Sequence, residues 1–419
     1  MKKNILMISA AMLALVSCTQ DEVVQINNGQ KIEFRTALDT RATELTNDDL
    51  QSFHVTALYG DVVYFSDVFS KDDTDNSFKS TTDYYWPATE EVKFYAYYPY
   101  GNDLPGTVSI NANQKKVTGF TPASVIASQV DFVTAFEVYT KSQAENGSVG
   151  IEFQHQLSQI AIHAKNSNEG YQIKVKAVRI KNVVGSGDFD FSAAVANWTP
   201  NTDLASYEVS HESAITLTAE IAQSLMGNQG NAMLIPQTSI KWAPKTPVEP
   251  EGQNDGEGLG GEDGSLGETG TPETGGDNAA GDTTERTSPD GSYIAFLIQI
   301  ETATGIRVFP TAEGVDYAWV AKPLAFNWQP GYKYTYEFDF KDGAGVIAPD
   351  NFEDPDGPDG PKDPILPGGD EDDPKPGDNV YGGKIVVDVT FGGWNYNYSD
   401  DNVYNSDHTL PMTSTQSGE

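Results

Sequence analysis

Five histidines, one cysteine and 61 acidic residues are the groups in this 419-residue chain that could hold a metal, attack a bond or move a proton. A zinc site needs His, Cys or carboxylate ligands at close spacing, as in HExxH on one helix face. His54, His155, His163, His211 and His408 show no such spacing, and a single cysteine cannot build a thiolate site. His155 and His163 fall in one strand-rich run and read as structural. The sequence has no Walker loop, no GxGxxG after a strand and no GxSxG elbow. Most carboxylates lie in Gly- and Pro-rich tracts, where nothing holds a pair at glycosidase spacing. "DPDGPDG" and "GGDEDDP" lack the EF-hand arrangement and read as solvated chain. The residues therefore imply no catalytic group, no metal and no cofactor, and the expectation is a protein that is not an enzyme. Trp394, Tyr396 and Tyr398 could stack on sugars, and packing or tail contacts explain them equally well.

Two positions remain at which covalent chemistry is expected to be done to the chain. "MKKNILMISAAMLALVSC" has two lysines, an apolar run from Ile5 to Val16, and a small residue before Cys18. That run is too short to span a bilayer as a helix and has the form of a secretory signal, residues 1–18. Leu15-Val16-Ser17-Cys18 resembles the bacterial lipobox, in which the cysteine thiol is diacylated. Two acyl chains suffice for stable membrane attachment, so Cys18 is the expected lipidation site. The following "TQDE" resembles an acidic surface-export signal of Bacteroidota lipoproteins. The second position is Arg41, in a Thr-Arg-Ala tripeptide directly after a short alternating run.

The elements that must position such sites are strands. Short β-rich runs recur between clusters of Asp, Asn, Gly and Pro, as in "FHVTALY", "VKFYAYYPYG", "IEFQHQLSQIAIHAKN" and "YKYTYEFDFKD". No long segment keeps a helical period, so the expected class is all-β, built from antiparallel sandwiches with one wet face. Ile32, Phe34, Thr36 and Leu38 alternate onto one face of "IEFRTAL". In "YQIKVKAVRI", strict alternation places Ile173, Val175, Ala177 and Arg179 together. Residues 247–291 and 346–383 are too poor in apolar side chains to offset the cost of ordering. They read as a disordered acidic insert and an extended linker. Beyond the linker, Ile385, Val387, Val389 and Phe391 share one strand face. A tethered strand must pair, either in its own sheet or in another molecule's, because an isolated strand is unstable in water. The net charge of −35 disfavours nucleic acid and anionic membrane surfaces as partners.

Taken in order, the lipobox, "IEFRTALDTRAT", "YYWPATEEVKFYAYYP", "SQVDFVTA", "IEFQHQLSQIAI", "MLIPQTSI" and "WQPGYKYTYEFDF" give the chain its kinship. It resembles the fimbrillin-like proteins of Bacteroidota, subunits of type V pili and their accessory lipoproteins. The acidic insert and the long linker depart from the family pattern. The resemblance implies two transthyretin-like β-sandwich domains in tandem, residues 42–147 and 148–345, after a propeptide of residues 19–41. Residues 384–419 would form a C-terminal strand and tail. It further implies that a trypsin-like or gingipain-like protease at the cell surface cuts Arg41–Ala42. That cut would remove the plug strand containing Ile32, Phe34 and Leu38. The donor strand carrying Ile385, Val387, Val389 and Phe391 would then fill the groove of the next subunit. The implied function is a pilus subunit, stalk or tip, that supports adhesion at the outer membrane and in the fimbrium. Its partners would be other pilus subunits. The alternative is a monomeric surface lipoprotein binding glycans or host proteins.

Overall fold

A computed structural model describes residues 26–38, 50–88, 91–144, 148–192, 197–244, 287–352, 365–367, 372–393 and 403–405. The described residues are all-β, with strands joined by turns and four short 3-10 segments. Alternating apolar residues create the first body. Its sheet closes on itself in the order Val133–Tyr139, Ser148–His155, Glu33–Leu38, Phe78–Lys79, Val62–Lys71, Ser52–Tyr59, Val92–Tyr98. Phe34, Phe53, Phe69, Phe94 and Phe153 point inward from these strands and, with Trp86 from Tyr85–Pro87 outside the ring, make a fully buried core. The ring closes through ladders of unequal length, with only two residue pairs between Val133–Tyr139 and Ser148–His155 and one between Glu33–Leu38 and Phe78–Lys79.

The second body is a sandwich of two six-stranded sheets. One runs Gln223–Ser224, Ser158–Lys165, Tyr332–Asp339, Val386–Gly393, Val403–Asn405, with Ala232–Leu234 also on Ser158–Lys165. The other runs Leu204–Thr216, Tyr171–Val184, Tyr293–Thr302, Ala318–Pro323, Val346–Ile347, with Arg307–Phe309 on Tyr293–Thr302. Ile160, Ile162, Val178, Phe296, Trp328 and Phe338 fill the space between them. A further four-stranded sheet, Trp198–Pro200, Gly187–Asp190, Lys115–Phe120, Thr107–Ile110, draws strands from both sides of the expected boundary at 147/148. Ser148–His155 likewise belongs to the first ring. Phe120, Phe132, Leu157, Phe189, Trp198 and Ile235 form one core between ring and sandwich. The two bodies are thus joined by buried apolar surface and not by a linker.

Three expectations change. In Tyr171–Val184 the register slips between Val175 and Ala177 against Tyr293–Thr302, so Lys176 is an extra residue. Such a bulge inverts every later position. Ile173 and Val175 face the core with Val178 and Ile180, while Ala177 packs on the opposite face of the sheet, where Arg179 lies over Trp319.

Secondly, much of 346–383 packs on the sandwich and does not behave as a solvated linker. Val346–Ile347 pairs with Ala318–Pro323, and Leu366 and Val380 are buried. The Asp350 carboxylate is 1 % exposed between Arg179 Nη1 at 2.8 Å, Lys181 Nζ at 3.4 Å and the Tyr293 hydroxyl at 2.7 Å. Thirdly, Thr287–Ser288 at the end of the acidic insert forms a short parallel pair with Lys241–Trp242. Residues 245–286 lie outside the described residues.

Candidate functional site

The N-terminal strand Glu33–Leu38 is the element on which the proposed processing chemistry turns. It pairs parallel with Ser148–Phe153 through six residues and antiparallel with Phe78 through Phe34. Ile32 N–H donates to Tyr84 O at 2.8 Å. The Phe34 ring meets Phe69 at 4.6 Å, Phe94 at 5.3 Å and Phe53 at 6.0 Å between centroids, each edge to face. Ile32 is buried beside it. Leu38 closes the ladder by pairing with Phe153. Parallel pairing cannot come from a tight hairpin and needs a long connection; directly before the strand, Ile26–Lys31 pairs antiparallel with Tyr85–Pro87. Cys18, Arg41 and Ala42 lie outside the described residues.

The C-terminal strand Val386–Gly393 runs antiparallel to Tyr332–Asp339 over eight residue pairs, from Asp339↔Val386 to Tyr332↔Gly393. Ile385 and Val387 are buried in the sandwich core, and Val389 and Phe391 pack against it. Phe391 stacks on Tyr334 at 5.9 Å. Of the two fates open to this strand in the sequence, the structure has the return to its own sheet. Its outer edge is covered by Val403–Asn405. Just before it, Tyr381, Gly382 and Gly383 all take positive φ, +46°, +79° and +76°. A Cβ at Gly383 would lie 2.4 Å from Asn379 Oδ1, so only glycine fits this turn.

His155 and His163 fall on separate strands. His155 Nδ1 and Asp131 Oδ2 stand 2.7 Å apart, both largely buried, which joins two segments of the inter-body core. Among the described residues no group of three His, Cys, Asp or Glu could hold a metal ion. Sequence reasoning missed a cleft of about 970 Å³ between the ring and the sandwich, lined by Phe136, Glu152, Gln154, Trp198, Thr238 and Gln329 among others. Its lining comes from several separate stretches of chain, including parts of "SQVDFVTA", "IEFQHQLSQIAI", "MLIPQTSI" and "WQPGYKYTYEFDF", and nothing local in those runs says that they meet.

The sequence matches a family model described as fimbrillin-like over residues 23–255. No curated protein matches it. Among solved structures, a candidate cell adhesion protein from Parabacteroides distasonis is similar, with 11% identity and a TM-score of 0.44, over 87% of this chain and 96% of that one. A candidate cell adhesion protein from Bacteroides ovatus shares 16% identity at a TM-score of 0.36, over 74% of this chain and 92% of its own. The fimbrial anchor protein Mfa2 from Porphyromonas gingivalis shares 9% identity at a TM-score of 0.31, over 87% of this chain and 97% of its own.

Proposed function

This chain belongs to the fimbrillin-like family, and from that premise we propose that it is a structural pilus subunit, stalk or tip, that supports adhesion and assembles at the cell surface by strand exchange. In this reading Cys18 carries the lipid that holds the precursor at the outer membrane. A trypsin-like or gingipain-like protease then cuts Arg41–Ala42. The observation that carries the reading is the place of Glu33–Leu38. A strand near the start of the chain, only a few residues before an arginine, puts a fully buried phenylalanine into the centre of the first body.

Losing the Phe34 side chain alone costs on the order of 3–5 kcal/mol when the cavity stays empty. Removing the whole strand also strands the backbone groups of Ser148–Phe153 on one side. Such a groove favours any segment that restores both ladder and apolar face, which is the logic of strand addition. The Ile385, Val387, Val389 and Phe391 face has the same alternating form as Ile32, Phe34, Thr36 and Leu38. Insertion into the next copy is heterologous and does not close, so it gives a filament.

The test is to treat the purified full chain with trypsin and follow SDS-resistant oligomers on a gel. A ladder is expected from the parent and none from Arg41→Ala. An Arg41→Ala chain that polymerises as readily as the parent overturns the cleavage step.

A further inference from the structure

We propose that the cleft between ring and sandwich is a binding site for neutral glycans, with Phe136 as the platform and Glu152 and Gln154 as its hydrogen-bonding rim. The inference goes beyond the assembly reading and does not rest on it. Val133–Tyr139 and Ser148–His155 pair only at Val133↔His155 and Thr134↔Gln154. Past those residues the ladder stops, and the outward side chains of the two strands border the cleft.

Phe136 is 47% exposed, a large ring in the open directly after three buried residues, Val133, Thr134 and Ala135. Its ring lies 4.8 Å from Tyr95, which is buried and in turn meets Phe191 edge-on at 6.3 Å. The exposed ring is therefore held from beneath by packed aromatics, which fixes its orientation before any ligand arrives. The opposite wall is fixed too, since the Trp198 indole N–H donates to Gln156 O at 2.6 Å.

The chemistry of the lining selects the ligand class. An open aromatic face takes the apolar C–H face of a sugar ring, while amide and carboxylate groups beside it pair with adjacent hydroxyls. Glu152 and Gln154, both exposed, stand on the strand next to Phe136. Among the described residues no lysine or arginine lines the cleft, and its histidine, His155, already faces Asp131 at 2.7 Å, which disfavours an anionic sugar. Nor is the cleft strongly acidic. Glu137 accepts a hydrogen bond from the Glu152 backbone, and its burial raises its carboxyl pKa above the usual range. With Glu137 committed to the protein, Glu152 is the one exposed carboxylate of the cleft among the described residues, which favours neutral over cationic ligands. The volume of about 970 Å³ lies at the upper end of ligand pockets and suits several sugar rings in a row.

The full chain should be screened against immobilised neutral oligosaccharides of glucose, mannose and galactose, uronic-acid oligosaccharides, and a Lys/Arg-rich peptide. Titration of the best neutral probe would follow, read by calorimetry and tryptophan fluorescence. Neutral glycans are expected to bind. Phe136→Leu, which keeps apolar bulk but removes the ring, should weaken them about tenfold, and Gln154→Ala should weaken them as well. Trypsin-triggered oligomerisation should be the same in both variants as in the parent. Binding of only the uronic-acid probes or only the peptide, no binding at all, or neutral binding untouched by both substitutions would each overturn the proposal.

Discussion

Asp350 is a buried charge that ties the segment after Val346–Ile347 to Arg179, Lys181 and Tyr293 of the sandwich. Burial alone would push its carboxyl pKa up, but the Lys181 ammonium, the Tyr293 hydroxyl and the Arg179 guanidinium outweigh that and hold it below the usual range. Arg179 is also held by Glu208 at 2.6 Å and lies over the Trp319 ring at 4.0 Å, so the cluster is packed on all sides. Replacing Asp350 by Asn removes the buried carboxylate that Arg179 and Lys181 share, while Glu208 stays on Arg179, and breaking such a buried pair costs about 3–5 kcal/mol. The loss should appear at pH 7 as a lower melting temperature of the variant. Because the folded pKa is depressed, the stabilisation is full above the unfolded value near about 3.9 and fades as pH falls through the folded value. The gap between parent and variant should therefore narrow below about pH 4. A gap that stays constant down to acid pH would mean that Asp350 acts through packing and not through charge. None of this was legible in the sequence. Asp350 sits in a tract whose composition says solvated chain, and its partners lie far away in the sequence. Strict alternation puts Arg179 on one face with Ile173 and Val175 because it is blind to the extra residue at Lys176.

At the scale of the element, the two terminal strands were the most readable parts of the molecule. Their apolar residues repeat with period two and few interruptions, and burial on one face of a sheet requires that pattern. Ile32 and Phe34 are in the core of the ring, and Ile385 and Val387 in the core of the sandwich. What alternation could not say is which sheet takes the last strand, since any edge with a matching apolar face would serve. The cleft was illegible for a related reason, because it is made by the meeting of two bodies and not by any one segment. If the C-terminal strand must leave Tyr332–Asp339 to be donated, fastening it in place should block assembly. Thr335 and Thr390 face each other across this antiparallel pair, where Cβ atoms stand roughly 4.5–5.5 Å apart. In a Cys18→Ser background, Thr335→Cys with Thr390→Cys should form a cross-strand disulfide. Oxidised protein cut with trypsin is expected to stay monomeric on a non-reducing gel, and reductant should restore the ladder. A ladder formed by the oxidised, cut protein would place the donor strand elsewhere.

At the scale of the whole molecule, charge sets a cost on assembly that no single contact reveals. Each copy carries a formal −35, with 61 acidic residues against 26 basic ones, so copies of the chain repel one another, and would do so in the proposed filament. The docking face that strand exchange offers is apolar and backbone-mediated, and neither term weakens much with salt. The repulsion does weaken, because the Debye length falls from about 30 Å at 0.01 M ionic strength to about 8 Å at 0.15 M. Encounter between cut subunits should therefore be faster in salt, the reverse of what a basic patch meeting an acidic one would give. The measurement is the rate of ladder growth after trypsin is quenched, followed across that range of ionic strength at fixed protein concentration. Quenching first keeps the protease's own salt response out of the readout. A rate that rises with salt and levels off near physiological strength fits head-to-tail joining of like-charged subunits through an apolar strand. A rate that falls with salt would mean that opposite charges steer the join, and the exchanged strand would then be a secondary contact.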